Sequence, residues 1–96
     1  MYTKEEVQKL RSDRDYLRDQ YGQAYERMEV FIASKNRRQK DRLQALYMEM
    51  KRSEPRTFPG PARTPDEKAE YYQSWIEFYK YWTNFWRDVV EGVIKL

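Results

Sequence analysis

The stretch KAEYYQSWIEFYKYWTNFWRD, Lys68 to Asp88, decides how this chain is read. Nine aromatic residues fall between Tyr71 and Trp86. Projected at 100° per residue, the rings do not scatter. Tyr72, Trp75, Tyr79, Trp82, Trp86, Val89 and Val93 recur at spacings of three and four and form a central stripe. Tyr71, Phe78 and Phe85 flank it on one side; Ile76, Val90 and Ile94 flank it on the other. Gln73, Glu77, Lys80, Asn84, Arg87, Glu91 and Lys95 form the opposite, polar strip. The spacing predicts a helix over 65–94. Its apolar arc spans about half the circumference, where a helix covered on one side needs roughly 100°.

The start of that helix is marked by Thr64-Pro65-Asp66-Glu67. Thr suits the N-cap, Pro the first helical position, and the two acids the positive end of the helix dipole. Gly92 is placed to fray the far end or to allow a close contact. All four prolines lie in the preceding run SEPRTFPGPARTP, Ser53 to Pro65. The expectation is a stiff, extended connector over 53–64, with Phe58 as an anchor.

Upstream of the connector, Thr3 and Glu6 have capping-box spacing. Val7, Leu10, Leu17, Tyr21, Ala24, Met28 and Phe31 then keep a heptad-like pattern, with Arg14 filling one slot. Such a coiled-coil-like seam packs against another helix. The run SKNRRQKDR, Ser34 to Arg42, has no apolar residue, and the stripe resumes at Leu43, Leu46, Tyr47 and Met50. No Pro or Gly breaks the run, so a single helix over about 4–52, bent at most near 34–36, is expected in preference to two helices. The fold class is all-α: a long N-terminal helix, a Pro-rich connector and a Tyr/Trp-rich C-terminal helix. They form one small domain, packed as an antiparallel hairpin or a three-helix unit.

The first helix covers one seam of the aromatic arc. The remaining rings need a third element or another molecule, and exposed aromatic patches mark interaction sites. Tyr71, Trp75, Phe78, Tyr79, Trp82, Phe85 and Trp86 are therefore the candidate protein-interface residues.

Composition narrows the chemistry. The chain has 96 residues, no cysteine and no histidine. Disulfides, thiolate nucleophiles, histidine bases and the usual zinc ligands are excluded. Asp13 and Asp15 are two residues apart and point to different faces of a helix, so they do not converge on a metal ion. Glu70, Glu77 and Glu91 lie near rings, but Glu77 and Glu91 fall on the polar strip. Glycines at 22, 60 and 92 make no phosphate loop. No enzymatic activity, cofactor or metal is expected. No run is long and apolar enough to cross a bilayer. The N-terminal MYTKEEVQKLRSDRD lacks the apolar core of a secretory signal and is too acidic for a typical mitochondrial presequence. An intracellular, non-secreted protein is the expectation.

Charge is uneven. Residues 1–63 carry 15 Lys/Arg against 10 Asp/Glu; residues 64–96 carry 4 against 6. Lys35, Arg37, Arg38, Lys40 and Arg42 concentrate the basic character and are the candidate anion-binding residues. They suit a protein contact or an anionic lipid surface, and less well a nucleic acid, for which no known motif is present. The composition resembles that of the small, basic, aromatic-rich accessory subunits of mitochondrial respiratory and ATP synthase complexes. That resemblance implies a mitochondrial inner-membrane assembly and a non-catalytic subunit or adaptor that fastens other subunits, in a hetero-complex or a homo-oligomer. An amphipathic lipid-surface protein, a nucleic-acid binder using 35–42 and a viral inhibitor of a host protein are the alternatives.

Overall fold

The computed structural model describes residues 1–55 and 64–92. Among them are three helices and no strand: α1, Lys4–Ala33; α2, Arg37–Arg52; and α3, Pro65–Glu91. The all-α class is as the sequence predicts. Expectations for the connector interior, Phe58 included, and for Val93 and Ile94 lie outside the described residues.

The helix starts are built by the predicted caps. Thr3 Oγ1 accepts from the Glu6 amide at 3.2 Å, and Glu6 Oε1 accepts from the Thr3 amide at 3.3 Å. Thr64 Oγ1 accepts from the Glu67 amide at 3.1 Å. Gly92 has a defined role at the end of α3. With φ at 81° it takes the left-handed conformation open to a residue without Cβ, and its amide donates to the Val89 carbonyl.

The single helix over 4–52 does not form. α1 stops at Ser34, whose hydroxyl donates to the Phe31 carbonyl at 2.7 Å. Asn36 is extended, with φ −72° and ψ 169°, and its side chain accepts from the Gln39 amide at 2.9 Å to start α2. Side chains satisfy the backbone groups that a break exposes, so neither Pro nor Gly is needed. The break is a full reversal. Tyr21 meets Met50 and Tyr25 meets Tyr47, so α2 runs back along α1. The molecule is accordingly 49 Å in its longest extent, against about 70 Å for one 49-residue helix.

That reversal sets the direction of α3. Tyr2 bonds Asp66 and Gln73, the Arg14 guanidinium lies over the Tyr72 ring, and Tyr21 contacts Phe78 and Tyr79. Gln20 takes Arg87. The partners climb together, so α1 and α3 are parallel, and the antiparallel hairpin expected between them is replaced by an up-down-up three-helix unit. α2 has 16 residues against 30 and 27 in α1 and α3. It ends beside Tyr21, about 28 Å short of the level of Tyr2. The molecule therefore has a turn end with three helices and a base end where, among the described residues, only α1 and α3 meet. The α1 seam is as predicted: Val7, Leu10, Arg14, Leu17, Tyr21 and Phe31 are half-buried, and Ala24 and Met28 are buried.

Candidate interaction surface

The core is at the turn end. Met28, Leu43, Met50, Phe78, Trp82, Trp86 and Val89 form one buried cluster. Three of the seven rings expected at an interface thus belong to it: Phe78, Trp82 and Trp86 are 6%, 5% and 1% exposed. Their faces are spent on the chain's own helices. Tyr71, Trp75, Tyr79 and Phe85 are half-buried.

Polar atoms carried by these large side chains are pinned inside. The buried sulfur of Met50 accepts from Trp86 Nε1 at 3.2 Å and from the Tyr21 hydroxyl at 3.4 Å. One side chain of α2 thereby ties α1 to α3. The Tyr25 hydroxyl donates to the Tyr47 hydroxyl at 3.0 Å. Burial pushes the Tyr21 phenol up to about 12. Tyr25 is raised by the hydrogen bond to Tyr47 and then by burial, and Tyr79 by burial. Two buried polar atoms, Trp75 Nε1 and Thr83 Oγ1, have no hydrogen-bond partner.

Outside the core stands a ring that the helical projection does not single out. Tyr81 is 62% exposed. It stacks on Phe85, with centroids 6.4 Å apart and planes 11° apart, and meets Trp82 edge-on at 5.1 Å. Trp82 and Phe85 continue edge-to-face to each other and to Trp86. Tyr81 is the outer end of a ring chain rooted in the core. Its position between Glu77 of the polar strip and Phe85 of the flank was the available signal.

Beside Tyr81 an open groove of 380 Å³ runs between α2 and α3, lined by Glu49, Ser53, Pro55, Ser74, Glu77, Phe78, Tyr81 and Trp82. The Ser53 and Ser74 hydroxyls donate to carbonyls of their own helices, Glu49 and Glu70. The carboxylates of Glu49 and Glu77 are in no ion pair. The groove thus offers negative charge and aromatic surface, a combination that receives cationic side chains.

The basic segment divides. Lys35 is half-buried, with its ammonium 4.3 Å from the Phe31 ring centre, and is used within the chain. Arg37, Arg38, Lys40 and Arg42 are exposed and in no ion pair. They crowd the positive end of α2, whose first turn has no acid. α2 carries six Lys/Arg and two Asp/Glu, and α3 carries three and six. Yet the described ion pairs are Arg14–Asp15, Arg18–Asp15 and Lys51–Glu54, and none bridges two helices. Asp15 takes two arginines, while Asp13 is exposed. Glu70, Glu77 and Glu91 are exposed too. No helix among the described residues is long and apolar enough to cross a membrane.

No family model matches the chain, and no curated protein or solved structure proves similar to it.

Proposed function

We propose that this chain is a non-catalytic interaction subunit that fastens an assembly of proteins through the groove between α2 and α3. The observation that carries the reading is the Tyr81–Phe85 stack, held in the open beside two unpaired carboxylates while the neighbouring rings fill the core. A rigid, two-torsion aromatic beside a groove is a low-entropy anchor for a partner. The compositional resemblance makes a mitochondrial inner-membrane complex the first assembly to search.

The test is a photo-crosslinking amino acid placed at Tyr81 in cells. Tyr16, 65% exposed on α1, is the control. A discrete adduct is expected from position 81 and none from position 16. No adduct at 81 overturns the reading.

The four exposed, unpaired cations of α2 favour a second reading, binding to an anionic lipid surface. It predicts co-sedimentation with vesicles containing phosphatidylglycerol, lost in Arg37→Glu/Arg38→Glu. Nucleic-acid binding uses the same cations and predicts affinity that falls steeply with salt.

A further inference from the structure

The outward face of α2 carries a pattern that a single chain leaves unused. Arg38, Arg42, Ala45 and Glu49 follow at spacings of four, three and four, so they share one face. All four are exposed. Arg38 and Arg42 are like charges one turn apart, a destabilising spacing made worse near the positive end of a helix. Neither is neutralised by any described ion pair.

The charges on this face reverse sign about Ala45, positive at 38 and 42 and negative at 49. A two-fold axis near Ala45 lays two copies of α2 antiparallel and sets Arg42 of each copy against Glu49 of the other. An isologous contact satisfies both pairs at once. Ala45 contributes only a methyl group at the axis, which permits close approach, and Met48, 48% exposed, adds apolar surface beside it. Across the groove from Glu49 stand Glu77 and Tyr81. A carboxylate and an aromatic face are the two surfaces that a guanidinium binds.

We propose that a second copy of this chain occupies the α2–α3 groove through a two-fold α2–α2 contact, in which Arg38 and Arg42 of each copy meet Glu49, Glu77 and Tyr81 of the other. The proposal rests on the reading of the groove as an interaction surface and names its occupant.

The experiment is light scattering on a sizing column with the purified full chain, at about 50 mM and about 1 M salt, which bracket strong and weak screening. At low salt the expected mass is twice 11.9 kDa. It falls toward a single chain at high salt. Arg42→Glu and Glu49→Arg each weaken the dimer by about tenfold or more, because the two-fold duplicates every charge pair. The double variant Arg42→Glu/Glu49→Arg dimerises again, as does an equimolar mixture of the two single variants. Circular dichroism shows all of them folded. A wild-type monomer at every salt concentration, or a double variant no better than the singles, overturns the proposal. The crosslinker at Tyr81 separates the two readings. An adduct of doubled mass from purified protein supports the second copy. An adduct formed only in cell extract overturns the second copy and leaves the interaction surface standing, and no adduct in either overturns both.

Discussion

The turn end and the base end of this molecule are stabilised differently. At the turn end α2 completes a core of large rings and thioethers, and Met50 hydrogen-bonds both neighbouring helices. At the base end the described contacts are those of two parallel helices. There Tyr2 straps α1 to α3: its amide donates to Asp66 at 2.8 Å, and its hydroxyl accepts from Gln73 at 2.8 Å. These anchors lie two helical turns apart and bracket the fully buried Ala69. Arg14 adds a guanidinium 4.9 Å from the Tyr72 ring centre. Removing apolar surface from water is the stronger device, so global stability belongs to the turn end and local opening to the base.

The largest way to break this contrast is Trp86→Ala. Trp86 is 1% exposed and touches the rings of Trp82 and Phe85. A loss of about 3–5 kcal/mol is expected in urea unfolding, most of the stability of a small domain. Met50→Leu comes next. An apolar exchange of similar volume costs under about 1.5 kcal/mol when shape alone matters. Here it strands Trp86 Nε1 and the Tyr21 hydroxyl, so about 2–3 kcal/mol is expected, and a cost below 1 removes the sulfur's role as acceptor.

The Tyr21 phenol gives the same end a pH signature. Its folded value, about 12, lies above the ordinary 10. Below pH 10 both states hold the proton and the contribution is fully present. As pH rises from 10 toward 12 the unfolded chain gives up the proton first, so stability falls. Melts across that window are expected to fall less steeply in Tyr21→Phe than in the wild type.

Thr83→Val moves the other way. The Thr83 hydroxyl is buried without a partner, and replacing it with a methyl group is expected to raise stability by about 1 kcal/mol. The smallest effect belongs to the base. Tyr2→Phe removes one exchangeable hydrogen bond and is expected to cost about 0.5–1 kcal/mol. Its clearer signature is faster amide exchange in residues 4–16 with exchange around Trp86 unchanged; acceleration at both ends makes the two regions one cooperative unit.

Much of this was legible in the sequence. The starts of α1 and α3, the α1 seam and the all-α class were readable because caps and periodic stripes are short-range, and their partners lie within a few residues. The reversal at Ser34–Asn36 was the point at which reading failed. Asn36 with Gln39 three residues on has cap spacing, but a polar run also suits a solvated helix surface, and local propensity does not choose between them. What chooses is the burial of Leu43 and Met50 against Met28 and Trp86, which only a reversed α2 achieves.

The interface residues share that origin. The sequence by itself determined that α3 carries more ring surface than one helix can cover. Whether Phe78, Trp82 and Trp86 face inward and Tyr81 outward was decided by where α2 lies, since a half-circumference arc is compatible with cover on either flank. Helix identity comes from neighbours in the chain; helix direction, and so the exposed surface, comes from contacts between residues twenty to seventy positions apart.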